Sequence, residues 1–140
     1  MAFNYRNMSH AYALIVRRPG EEIEKLMNRW SWRHKDGFWR GWCIGSGRCA
    51  GSLNLKEDSR TEPEASFNNF VWKGNEIEEL KKKHPRASDC GYKGDIANLE
   101  ELNFEFIITK DQFISPVGPF YPYIKDLPDD VELICVDMRY

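Results

Sequence analysis

HAYALIVRR at 10–18, PG at 19–20 and EEIEKLMNRW at 21–30 together carry a change of period. The first run is rich in β-branched and aromatic residues and ends at a Pro-Gly pair, which predicts a strand and then a turn. Pro19 near a helix start, with Glu21 and Glu22 at the positive end of the dipole, opens a helix. Ile23, Leu26, Met27 and Trp30 recur at helical spacing and form one apolar face, which fades near Trp32–Arg33.

Working outward, Phe38–Ile44 (FWRGWCI) reads as a second strand that enters the bend Gly45–Ser46–Gly47 and resumes near Ser52–Leu55. Glu57–Ala65 is a charged loop, and Gly74–Lys83 reads as a second helix stopped by Pro85. Asp89–Leu102 predicts a turn and a short third helix, with Asp95 or Asn98 near its start. FEFIIT at 104–109, Gln112–Ser115 and VELICVDM at 131–138 complete the strands, with a proline-stiffened aromatic loop through Phe120, Tyr121 and Tyr123. This order predicts one α+β domain over 1–140: an antiparallel sheet with helices packed on one face, a ferredoxin-like (split βαβ) elaboration.

A chain of 140 residues with five Trp and eight Phe can bury a core without staples. Its 20 basic and 22 acidic residues argue against a dedicated nucleic-acid binder and against an acidic DNA mimic. No apolar run reaches membrane-span length, and Met1–His10 lacks the pattern of a signal peptide. A cytoplasmic protein is therefore expected, with Cys43, Cys49, Cys90 and Cys135 as thiols.

The chemistry concentrates in FWRGWCIGSGRCAG at 38–51. Gly45 and Gly47 would let backbone N–H groups approach an anion; Arg40 and Arg48 would bond phosphate or carboxylate; Trp39 and Trp42 would stack on a base. The same residues also suit a bulged strand with its Trp side chains in the core. No P-loop or dinucleotide fingerprint is present. Tyr92–Lys93–Gly94–Asp95 offers a second ring, a cation and an acid that would cap a helix or hold a ribose. Asp137 shares a strand face with Cys135 and needs a partner or solvent. His10 with Asp95 or Asp137 is the one acid–base assembly the sequence offers, although His10 lacks the H-x-T or H-x-S context of two-histidine phosphoesterases. His84 and Cys90 offer a conceivable thiol–imidazole pair without a matching signature. Cysteine spacing predicts no metal site, and no cofactor is expected.

Several segments together resemble a family of small phage and prophage proteins. Its members begin M-S-H-Y before a strand, carry a W-x-x-x-I-G-G-R-W-type segment and K-G-D-I, and end in a strand of the form L-L-T-V-V-D. The matching segments are Met8–Tyr12, Trp39–Cys49, Lys93–Ile96, Leu127–Asp130 and Glu132–Asp137, with Ser46 splitting the glycine pair and Cys49 in place of Trp. The resemblance implies a phage context and makes the glycine–arginine bend more of a site. It implies no established activity.

The expectation is an anti-defence protein of the host cytoplasm that binds and sequesters a nucleotide-derived immune signal. Arg40 and Arg48 would hold phosphates, Trp39, Trp42 or Tyr92 would stack on bases, and Asp95 would hold a ribose. Lys93, Asp137 and His10 complete the candidate pocket, which a homo-oligomer would enclose well. One alternative is an enzyme that cleaves such a signal. Another is an inhibitor or immunity-type protein that grips a host protein through Phe120–Tyr123.

Overall fold

A computed structural model describes residues 10–30, 41–45, 49–57 and 86–139. The Gly74–Lys83 helix, the charged loop after Glu57, His84, Trp39, Arg40, Gly47 and Arg48 lie outside the described residues.

The described strands are β1 (His10–Arg17), β2 (Gly41–Ile44), β3 (Leu53–Asn54), β4 (Ala87–Ser88), β5 (Cys90–Tyr92), β6 (Phe106–Ile108), β7 (Phe113–Ile114) and β8 (Glu132–Arg139), with one helix, α1 (Ile23–Trp30). The main sheet runs β2-β8-β1-β6-β7, with β5 also paired to β8; β3 and β4 form a separate pair. It is a mixed, mostly antiparallel sheet of an α+β fold.

β8 is the centre of the sheet. It pairs along its whole length with β1, from His10↔Arg139 to Arg17↔Glu132. Its other edge is shared end to end: β2 pairs with residues 136–139 and β5 with residues 132–134. A strand flanked on both edges and covered on both faces reads as a nearly continuous apolar run, as ELICVDM does. β1 and β2 both run antiparallel to β8, which lies between them, so two parallel strands joined through α1 have a third strand inserted. On the far side of β1, β6 runs parallel to it, where the second half of a ferredoxin-like plan would place an antiparallel strand.

Strand alternation divides the core in two. One face carries Ala13, Ile15, Ile134, Val136 and Met138 beneath Leu26, Met27 and Trp30 of α1. The indole N–H of Trp30 donates to the carbonyl of Thr109 at 2.5 Å, which ties the end of α1 to the sheet. The other face carries Leu14, Leu133 and Cys135 beneath Leu53, Ile96, Phe104, Phe120 and Ile124. Each fully buried Leu or Ile contributes roughly 1.5–3 kcal/mol of transfer free energy.

One expectation is corrected. Residues 89–102 hold no α-helix: they form β5 and two short 3-10 turns, Lys93–Asp95 and Leu99–Glu101. Local bonds explain this. Asn98 accepts the N–H of Asn54 at 2.8 Å and donates to the carbonyl of Ser52 at 2.9 Å, so the segment is stitched to β3 rather than wound on itself. The described helix, α1, packs on one face of the sheet, and 3-10 turns and loops cover the other.

Candidate functional site

The register of β1, β8 and β2 assembles one end of the sheet. Tyr12 and Cys43 both lie directly opposite Asp137, one on each side. His10, two residues before Tyr12, shares that face. Its Nδ1 lies 2.9 Å from Oδ1 of Asp137. Asp137 is 1 % exposed, whereas the His10 side chain is 39 % exposed. The imidazole also stacks against Tyr12, with centroids 6.5 Å apart and planes at 19°.

This geometry fixes the chemistry of the ring. A carboxylate only accepts, so the contact places the proton of a neutral imidazole on Nδ1 and leaves Nε2 as an acceptor. Such a ring can take a proton from a hydroxyl or a water, and the carboxylate then stabilises the imidazolium. Sequence reasoning offered His10 with either Asp95 or Asp137 as an acid–base assembly, and the structure brings His10 to Asp137.

The remaining candidates are dispersed. Tyr92 lies opposite Glu132, five residues from Asp137 along β8 and on the other face; five strand residues span about 17 Å. Its ring, 45 % exposed, lines a cavity of about 260 Å³ with Arg17, Arg18 and Glu132. Trp42 pairs with Met138 and packs into the core on the α1 face, away from His10. Lys93 is buried, and its amine donates to the carbonyls of Lys125 at 2.7 Å and Leu127 at 2.6 Å, so it clamps the loop before β8. Asp95 closes a 3-10 turn whose carbonyl accepts the Lys56 N–H at 2.8 Å, and it caps no α-helix. Phe120 is buried against Phe104, with centroids 5.8 Å apart, so much of the proposed protein-binding patch belongs to the core.

A second acidic centre lies where β2 ends and β5 begins. Between them, Gly45 N–H donates to the carbonyl of Cys135 and Cys135 N–H donates to the carbonyl of Asp89, both at 2.8 Å. The Asp89 carboxylate is turned inward and 0 % exposed. Oδ1 accepts the Gly51 N–H at 2.6 Å, while Oδ2 has no partner among the described residues. Burial pushes its pKa up to about 6, against the opposing hydrogen bond from Gly51. Gly45 is needed here twice over: its φ is +61°, and a Cβ would stand 2.2 Å from Cγ of Asp89. Burial, with Cys49 and Asp89 nearby, also raises the Cys135 thiol well above its ordinary value. None of the four cysteines is disulfide-bonded.

Sequence reasoning passed over Asp89 and Glu105. Oε2 of Glu105 accepts the Tyr12 N–H at 2.8 Å, and its own N–H donates to the Tyr12 carbonyl at 2.9 Å. It lines a cavity of about 420 Å³ with Cys49, Ser52, Asn103, Phe104 and Pro116. Among the described residues no group of His, Cys, Asp and Glu side chains is arranged to hold a metal ion, and no helix is long and apolar enough to cross a membrane. Comparison of the chain with protein-family models, curated proteins and solved structures finds no match.

Proposed function

We propose that the chain is a phage-type anti-defence protein that takes up a nucleotide-derived immune signal in the host cytoplasm and cleaves it by acid–base chemistry. The carrying observation is the His10–Asp137 contact, a half-open imidazole held at 2.9 Å by a buried carboxylate. In this reading Nε2 of His10 takes a proton from the attacking hydroxyl or water at a phosphodiester or glycosidic bond, and returns it to the leaving group. Asp137 acts as a positioning residue, holding tautomer and ring orientation. The phage context is supported by the resemblance described above. The cavity beside Glu105 favours a second reading, in which the signal is held without being cleaved.

The test incubates purified protein with cyclic and ADP-ribose-type nucleotides, removes free ligand, heats the protein and identifies what is released by mass spectrometry. Wild type should release a cleaved product and His10→Ala the intact nucleotide. Intact nucleotide from both would establish sequestration, and neither retention nor conversion by wild type would end the nucleotide reading.

A further inference from the structure

The α1 side of the sheet carries a cavity of about 380 Å³ that brings cations from two separate elements together. Lys25, Leu26 and Arg29 line it from α1, and Lys110 lines it from the turn after β6. Lys25 and Arg29 stand four residues apart and so project from one side of the helix. Lys110 is brought there by its neighbours. The Trp30 indole N–H donates to the carbonyl of Thr109 at 2.5 Å, which holds the residue before Lys110 against the end of α1. The Thr109 hydroxyl oxygen then accepts the N–H of Asp111 at 3.2 Å and of Gln112 at 2.9 Å, which closes the turn.

The charges sort by partner. Glu21 and Glu22 also line the cavity, and both are engaged. Oε1 of Glu21 accepts the Arg18 N–H at 2.7 Å, and Oε2 of Glu22 lies 3.5 Å from Nζ of Lys25. Arg29 and Lys110 have no carboxylate partner among the described residues. The Arg29 guanidinium lies 5.1 Å from the centroid of the Trp30 ring, a cation–π contact that leaves its N–H donors for an acceptor. An oxyanion would answer both cations with charge-assisted bonds. Leu26 adds an apolar wall, and the volume lies in the range of small-ligand sites, so the anion can carry an organic body.

We propose that this cavity binds a small organic phosphate, with Arg29 and Lys110 holding the phosphoryl oxygens and the organic body lying against Leu26. α1 covers one face of the sheet and Tyr12, stacked on His10, packs on the other, so the site is separate from the His10–Asp137 pair and does not depend on the acid–base reading.

The test is calorimetry and ¹H–¹⁵N shift mapping with phenyl phosphate, using inorganic phosphate and phenol as partial ligands. Wild type and His10→Ala should bind phenyl phosphate equally, and more tightly than either partial ligand, with shifts centred on Lys25–Trp30 and Thr109–Asp111. Lys110→Met removes an exposed side chain and should weaken binding about tenfold at unchanged melting temperature. Arg29→Met should weaken it at least as much. Glu22→Gln releases Lys25 toward the anion and should tighten binding roughly twofold. Lys125→Met, an exposed lysine beyond the other face, should change nothing. The assignment is overturned if wild type fails to bind phenyl phosphate at millimolar concentration, or if phenol or inorganic phosphate binds as tightly. It is equally overturned if Lys110→Met and Arg29→Met bind as wild type does, or if Lys125→Met weakens binding as much as they do.

Discussion

Asp137 and Asp89 flank the same region of the sheet and are equally hidden from water, yet their carboxylates meet different surroundings. Asp137 sits in regular pairing between Tyr12 and Cys43 and reaches a half-open imidazole. Asp89 sits at a break in pairing, with one oxygen on a backbone N–H and the other unanswered among the described residues. Burial alone therefore does not decide what an acid does. The first holds an imidazole through its Nδ1; the second is held at a cost that raises its pKa to about 6.

The largest effect that could break this contrast is catalytic. Removing the imidazole in His10→Ala should lower turnover of the nucleotide by about 10²–10⁴-fold while leaving its affinity in place, measured by single-turnover kinetics. Equal loss of rate in Asp89→Asn would show that the roles had been assigned to the wrong aspartate.

Next comes stability against pH. The pKa of Asp89 rises on folding from 3.8 to about 6, a difference of roughly 3 kcal/mol. A raised folded value means that the proton's stabilisation is fully present below about pH 4 and is lost as pH rises through about 6. Asp89→Asn should remove that dependence and make the protein more stable than wild type at pH 8, by urea denaturation. A wild-type curve that is flat between those pH values would contradict the assignment.

Steric coupling at the break should be smaller. Gly45→Ala combines a positive φ with a Cβ set 2.2 Å from the Asp89 carboxylate, and should cost about 2 kcal/mol or more. Adding Asp89→Ala should recover the steric part, so the double-mutant cycle should be strongly non-additive. The smallest change is a control. Lys93 is buried and its amine is answered by carbonyls, so Lys93→Met should cost about 1–3 kcal/mol, the same on either side of pH 6, leaving the Asp89 dependence in place.

Much of the frame was legible in the chain. The period change at Pro19–Gly20 and the apolar run of β8 are local signals, and both elements form within a few residues of their expected bounds. The Asp137 contact was partly legible, because alternation shows that an acid inside an apolar strand needs an answer. Asp89 was not, because its burial arises where two separate strands meet the same edge of β8, which no local pattern records. Tyr92 and Lys93 show the converse. Neighbours in a motif part company when one ring faces outward and the next amine turns in to a loop 32 residues away. The third helix failed because side-chain bonds to β3 outcompete a weak local preference.

The central claim is that Asp137 sets the tautomer of His10, so that the neutral ring carries its proton on Nδ1 and leaves Nε2 to accept. Long-range ¹H–¹⁵N correlation of the His10 ring at alkaline pH tests it directly. A protonated Nδ1 and a bare Nε2 in wild type, giving way to a tautomer mixture in Asp137→Ala, is the predicted result. A proton on Nε2 in the wild type, or a ring indifferent to the loss of Asp137, would contradict the account.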